Sequence, residues 1–158
     1  PDKLDELGSW YLVHGETKEA ERLFRLSRRI QERRYGGDHP LGAEALYNQG
    51  ALFLKKAQPG QAIACLKAAL RTLRRGNCWI TREILARSLG HALLQAGTFR
   101  RAELCFRWLA RSPEHAGDPF VLEALGSAIR GQGAGRAAEA DAVAARAEEL
   151  KETLGIHR

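Results

Sequence analysis

Apolar and small residues recur along the chain in a fixed order. In four places Leu or Gln precedes Gly, with a larger apolar residue three positions on: Leu7-Gly8 with Tyr11, Gln49-Gly50 with Phe53, Leu89-Gly90 with Leu93, and Leu125-Gly126 with Ile129. Twelve residues after each Gly stands Ala20, Ala62, Ala102 or Ala138. Four further stands Phe24, Leu66, Phe106 or Ala142, and three beyond that Ser27, Ala69, Leu109 or Ala145. Steps of three and four place these residues on one face of a helix, so each unit reads as two antiparallel helices. Gly on the first and Ala on the second leave no bulk where the backbones approach, and the larger residues fill the space beside them. Glycines 15, 97 and 133, together with the run Lys56-Ala57-Gln58-Pro59-Gly60, break the pattern between the paired helices; glycine there supplies a left-handed helix end, and Pro59 opens a helix. The spacing predicts helices at 3–14, 17–34, 41–56, 60–75, 81–96, 99–111, 119–131 and 135–154.

The four glycines lie 42, 40 and 36 residues apart, which makes the chain a repeat protein. With its Leu- or Gln-Gly-x-x-apolar or aromatic and downstream Ala positions, the whole sequence resembles the tetratricopeptide repeat family, whose units run to about 34 residues. The longer units are similar to those of kinesin light chains. The matching residues are the linker Gly37-Asp38-His39-Pro40, then Leu46, Asn48 and Ala51, and the closing Ala68-Ala69-Leu70, with an echo at Gly117-Asp118-Pro119. The linker also has a physical reading of its own: Gly36-Gly37 ends a helix, Pro40 starts the next, and Asp38 stands near its positive end. The resemblance implies an all-α fold, a right-handed α-solenoid of four such hairpins with about eight helices. It would form a single domain over 1–158 with repeats at about 1–40, 41–82, 83–118 and 119–154. The last helix, rich in Ala and Glu, reads as a terminal element with a polar outer side. With no Met anywhere and Pro1-Asp2 at its start, the chain reads as a domain cut from a longer protein.

In this family the first helix of each hairpin lines a concave ligand face. Carried over by position, that face holds Asp2, Asp5, Glu6, Ser9, Leu12 and Val13, then Tyr47, Asn48, Ala51, Leu54 and Lys55. Further along it holds Ile84, Arg87, Ser88, His91 and Leu94, and in the last repeat Glu123, Ser127 and Arg130. The partner-binding candidates are Tyr47, Asn48, Ala51, Leu54, Lys55, Arg87, His91 and Arg130. Asn48 corresponds to the asparagine with which kinesin light chains hold a peptide backbone, since an amide both donates and accepts. Its counterparts Glu6, Ser88 and Ala124 do not match, so neither the kinesin cargo motif nor the chaperone carboxylate clamp carries over, and Asn48 is equally readable as a solvated polar residue.

Charge changes the picture in one repeat. Residues 1–40 hold eight basic and eight acidic side chains, 41–82 seven and one, 83–118 five and four, and 119–158 five and six, so the formal +6 belongs to the second repeat. Lys67, Arg71, Arg74 and Arg75 share a helix face with Lys55 and Lys56 near the neighbouring turn, which makes a basic patch. It reads either as a solvated outer face or as a site for an acidic protein or an anionic membrane. Nucleic acid fits poorly, because no aromatics interleave with the cations for stacking. Trp79 and Trp108 read as buried wedges between repeats in preference to exposed anchors, and the face carrying Trp10 and Phe24 is a candidate for covering either in a parent protein or by a second copy.

No nucleophile, base and orienting group stand together, and the five histidines are scattered at 14, 39, 91, 115 and 157. The Gly131-Gln132-Gly133-Ala134-Gly135 run follows no strand and reads as a hairpin turn, not as a phosphate loop. Cys65, Cys78 and Cys105 fit neither a disulfide framework nor a zinc site; Cys65 and Cys105 read as small apolar residues in a reducing compartment. With 44% hydrophobic residues, no stretch long enough to span a membrane and no signal peptide, the chain reads as cytoplasmic or peripheral to membranes. The resemblance implies a non-catalytic interaction scaffold without cofactor or metal, binding a peptide or a folded partner on the concave face. The alternative is a membrane-trafficking adaptor domain, similar to the helical module of some sorting nexins, that uses the basic second repeat on anionic lipid.

Overall fold

The computed structural model describes residues 2–35, 41–73 and 80–156. Every regular element among them is helical: α1 Asp2–Val13, α2 Thr17–Tyr35, α3 Leu41–Lys55, α4 Pro59–Thr72, α5 Arg82–Gln95, α6 Phe99–Arg111, α7 Pro119–Arg130 and α8 Ala137–Leu154. A single 3-10 turn, Ala134–Arg136, precedes α8. This is the all-α array of helical hairpins that the repeat predicts. The chain forms two compact units, Pro1–Ser88 and Leu89–Arg158, the boundary falling inside α5. In the first unit α1 packs on α2, α2 on α3, α3 on α4, and α1 also touches α3. In the second, α6 packs on α7 and α7 on α8.

Each of the first three hairpins closes where a glycine backbone meets a large side chain. A β-carbon built on Gly8 would lie 2.6 Å from Phe24 Cε1, one on Gly50 2.8 Å from Leu66 Cγ, and one on Gly90 2.6 Å from Phe106 Cζ. Phe24, Leu66 and Phe106 are all but fully buried. Truncating such a phenylalanine to Ala costs about 3–5 kcal/mol, several times the yield of an exposed ion pair, so these contacts govern the hairpins. Ala20, Ala62 and Ala102 are buried without residue, as are Ser27, Ala69 and Leu109.

The turns of the first three hairpins share one geometry. Seven residues beyond each helix glycine comes a left-handed residue: Gly15 (φ 84°), Ala57 (φ 53°) and Gly97 (φ 68°). The next amide bonds back five residues, Glu16 to Tyr11 O, Gln58 to Phe53 O and Thr98 to Leu93 O, each at 2.9 Å. Gly15, Ala57 and Gly97 bond back three residues at 3.3, 3.1 and 3.0 Å. These paired bonds make the Schellman closure, after which the second helix starts at Thr17, Pro59 or Phe99.

The fourth hairpin departs from that geometry and from the sequence reading. Gly133 has a positive φ but an extended ψ (116°, 169°), and the 3-10 turn follows it, so α8 begins two residues later in register than its counterparts. The buried residues shift with it. Ala140 and Ala147 are fully buried, whereas Ala138, Ala142 and Ala145, the expected anchors, are exposed. A β-carbon on Gly126 would face Ala140 O at 3.3 Å and Ala144 Cβ at 3.9 Å, so here the two backbones themselves approach. Alanine occupies both registers in this stretch, and its sequence therefore did not reveal the slip.

At α4 the expected end at 75 moves back: Leu73 is extended (ψ 100°) and caps a helix ending at Thr72, whose hydroxyl donates to Ala68 O (3.2 Å) and Ala69 O (3.1 Å). Asp118 accepts hydrogen bonds from Phe120 N and Val121 N and caps α7, with Pro119 in the first helical position, as its place before a proline implies. The Gly37-Asp38-His39-Pro40 linker lies outside the described residues. Trp108 is 46% exposed and is not the buried wedge expected of it; Trp79 lies outside the described residues.

A left-handed conformation costs a residue with a β-carbon about 1–2 kcal/mol, and glycine avoids that cost at some expense in unfolded-chain entropy. Ala57→Gly should therefore stabilise the protein by roughly 0.5–1 kcal/mol. Urea denaturation checks this, and a loss of stability would mean that the second turn is not under strain.

Candidate interaction surface

In the first unit the first helices α1 and α3 lie side by side, joined by a polar cluster. The Asp5 carboxylate accepts from Ser27 Oγ at 2.7 Å, Gln31 Nε2 at 3.2 Å and Asn48 Nδ2 at 3.2 Å. Ser27 and Gln31 come from α2 and are almost wholly buried, and Asn48 is 4% exposed. A half-buried carboxylate with three donors is well satisfied, so the cluster fixes three helices to one another. Asn48, expected to offer its amide to a peptide, is spent on Asp5 instead, and the surface for a ligand is what stands above it. There Ser9, Val13 and Lys55 are exposed, while Tyr47, Ala51 and Leu54 are half-buried. Leu12 is in the core with Ala20, Phe24 and Leu52. The remaining strip mixes apolar side chains, the hydroxyls of Ser9 and Tyr47, and one cation.

The other candidates fall elsewhere. Arg87 is half-buried in the first unit. In the second unit His91 is exposed, with its ring edge against Phe106 (5.3 Å, 70°), and Arg130 reaches across its own hairpin to Asp141 at 2.9 Å. The basic patch is reduced. Lys56 is paired with Glu21 of α2, and this lowers the Glu21 carboxyl below its usual range, chiefly through the hydrogen bond from Lys56. Lys55 and Arg71 are exposed and Lys67 half-buried; Arg74 and Arg75 lie outside the described residues.

Two features escaped the sequence reading. One is a buried carboxylate in the second unit. Glu103 of α6, 7% exposed, receives both Nη atoms of Arg136 (2.7 and 2.9 Å). It also accepts from Arg107 Nε at 2.7 Å and Gln132 Nε2 at 2.6 Å. Arg136 in turn holds Glu139 at 2.6 Å. The two extra turn residues of the fourth hairpin thus carry Arg136 onto Glu103, a reason for the slipped register that lies far away in sequence. The Arg136 hydrogen bonds, supported by Gln132 and Arg107, hold Glu103 down at about 2 against burial, which acts the other way. The other feature is a row of cations on α2, hidden because the first repeat sums to zero charge; only its helical spacing signals it.

Burial pushes the Cys65 and Cys105 thiols up, only partly offset by Arg28 and Arg101, which keeps both protonated and poorly nucleophilic. Among the described residues no three His, Cys, Asp or Glu side chains are grouped to hold a metal ion, and no helix is long and apolar enough to cross a membrane.

Helical hairpins with a glycine-to-large-residue contact and a polar cluster joining α1, α2 and α3 define a helical-repeat protein. Residues 3–75 match the tetratricopeptide repeat family, which supports reading the chain as a protein of that repeat type. No curated protein matches the chain. Tetratricopeptide repeats in general mediate protein–protein interaction and are non-catalytic scaffolds.

Because the folded Glu103 carboxyl titrates near 2 and the unfolded one near 4.5, its stabilisation is complete above about pH 4.5 and is lost as pH falls toward 2. Glu103→Gln should cost on the order of 3 kcal/mol at pH 7 and should flatten the fall in urea midpoint between pH 5 and 2.5. An unchanged pH slope in the variant would contradict this role.

Proposed function

We propose that the chain is a non-catalytic protein-interaction scaffold that receives a peptide or folded partner on the strip between α1 and α3. The observation that carries this reading is the joining of the two helices through Asn48 and Asp5 (3.2 Å). That join holds the exposed Ser9, Val13 and Lys55 and the half-buried Tyr47, Ala51 and Leu54 in a fixed frame. A pre-organised strip spares a ligand part of the ordering cost of binding, and its mix of apolar and hydrogen-bonding groups suits a polypeptide. Arg87, His91 and Arg130 are further candidates for partner contact, and the cytosol is the compartment this role fits.

The alternative, an adaptor seated on anionic lipid by the second repeat, has Lys55, Lys67 and Arg71 among the described residues, since Glu21 takes the Lys56 charge.

A photo-crosslinking benzoyl-phenylalanine at Leu54 should capture a discrete partner from lysate, and the adduct should vanish on Val13→Asp or Lys55→Glu. Adducts formed only from a probe at Arg71, or flotation of the protein with phosphatidylserine vesicles that Lys67→Glu/Arg71→Glu abolishes, would move the working surface to the second helices.

A further inference from the structure

We infer that the outer face of α2 docks an acidic, extended peptide segment of a partner protein, at a surface separate from the strip between α1 and α3. Lys18, Arg22, Arg25, Arg29 and Arg33 follow one another at four, three, four and four residues, which sets them on one face of the helix. At 1.5 Å per residue they span about 22 Å. All are exposed. Arg25 is paired with Glu21 at 2.8 Å; Lys18, Arg22, Arg29 and Arg33 are in no ion pair among the described residues. An open groove of about 530 Å³ runs along this face, lined by Lys18, Glu21, Arg22, Arg25, Leu26 and Arg29.

The fold has no need of this arrangement. Like charges one helical turn apart destabilise a helix by a few tenths of a kcal/mol per pair. The dipole favours cations only in the last turn, where Arg33 lies, whereas Lys18 and Arg22 sit toward the positive end. Cations do recur 17 and 21 residues after the glycine in three hairpins, at Arg25, Lys67 and Arg107 and at Arg29, Arg71 and Arg111. Arg107, however, is taken up by Glu103 and Glu139, and the positions of Arg22 in the other two hairpins are Ala64 and Leu104. Among the described residues, α2 alone continues the pair toward the start of its helix, through Arg22 and Lys18.

The chemistry of the groove selects its ligand. Cations one turn apart rise by about 6 Å along the helix, close to the 6.6–6.8 Å or so between alternate side chains of an extended strand. Carboxylates at every second position can therefore each meet a guanidinium, a pairing that favours Arg for its planar fork. Leu26, 46% exposed, gives the middle of the groove an apolar floor, and Glu21 puts a carboxylate in the lining. A phosphate backbone uses neither of these and is repelled by the second. The concavity of the groove is equally ill-suited to a flat bilayer surface.

The test uses a fluorescein-labelled nine-residue peptide with alternate Glu residues and one Leu, titrated with the whole chain and followed by anisotropy. The wild type should bind it, more weakly at higher salt, and should bind a peptide of the same composition with its Glu residues clustered less well. Arg22→Glu/Arg29→Glu should weaken binding roughly tenfold with an unchanged thermal midpoint, and Leu26→Asp should weaken it too. The charge-matched control Lys55→Glu/Arg82→Glu should leave it intact. Absence of binding by the wild type, equal binding of the clustered peptide, or loss only in the control would overturn the inference. So would a single-stranded oligonucleotide or phosphatidylserine vesicles that outcompete the peptide on α2. Loss only in the control would leave the α1 and α3 strip standing as the binding surface.

Discussion

In each of the first three hairpins a bare glycine backbone faces a large side chain of the second helix. Where Gly8, Gly50 or Gly90 turns its bare α-carbon to the second helix, the ring or branched end of Phe24, Leu66 or Phe106 lies where a β-carbon would be. That approach sets the distance between the helices, and the distance decides which neighbours can be Ala and which must be large. A glycine inside a helix costs about 1 kcal/mol in propensity. Burying a phenylalanine against it returns several times as much, which explains why the residue is retained at the centre of a helix.

Polar links do a different job from these contacts. Asp5, Ser27, Gln31 and Asn48 connect the first hairpin to α3, and Glu103 connects α6 to the turn before α8 through Arg136 and Gln132. Each is a carboxylate with several donors, stable because all its neighbours are in place and costly if one is removed. Hairpins can be stacked by apolar contact alone; the carboxylates fix the register in which they stack. On that frame the exposed faces proposed for binding are held in place without themselves having to be buried.

Much of this was legible in the sequence because it follows from local spacing. The Gly, Ala and large-residue steps located the helix ends to within three residues. The fourth hairpin was misread for a physical reason: the sequence from Ala137 to Ala147 carries alanine at both registers, and the choice between them is made by Arg136 reaching Glu103, 33 residues away. The bond from Asn48 to Asp5 is hidden from the sequence for the same kind of reason, since an amide on a helix face does not declare that its partner is an aspartate 43 residues earlier. The cations of α2 were visible throughout but cancelled in a sum taken over the repeat, because opposite charges on other faces of the same hairpin entered the count. Spacing reports what lies on one element, and side chains that meet across elements need the fold.

If the backbone-to-ring contact sets the helix spacing, its two partners must be coupled in energy. A double-mutant cycle of Gly8→Ala and Phe24→Leu, read by urea denaturation, measures that coupling directly. Gly8→Ala alone should destabilise by about 1–3 kcal/mol through overpacking, despite its gain in helix propensity, and in the Phe24→Leu background at least ~1 kcal/mol of that loss should disappear. Additive losses, or a Gly8→Ala variant more stable than the parent, would show that the ring does not hold the helices apart.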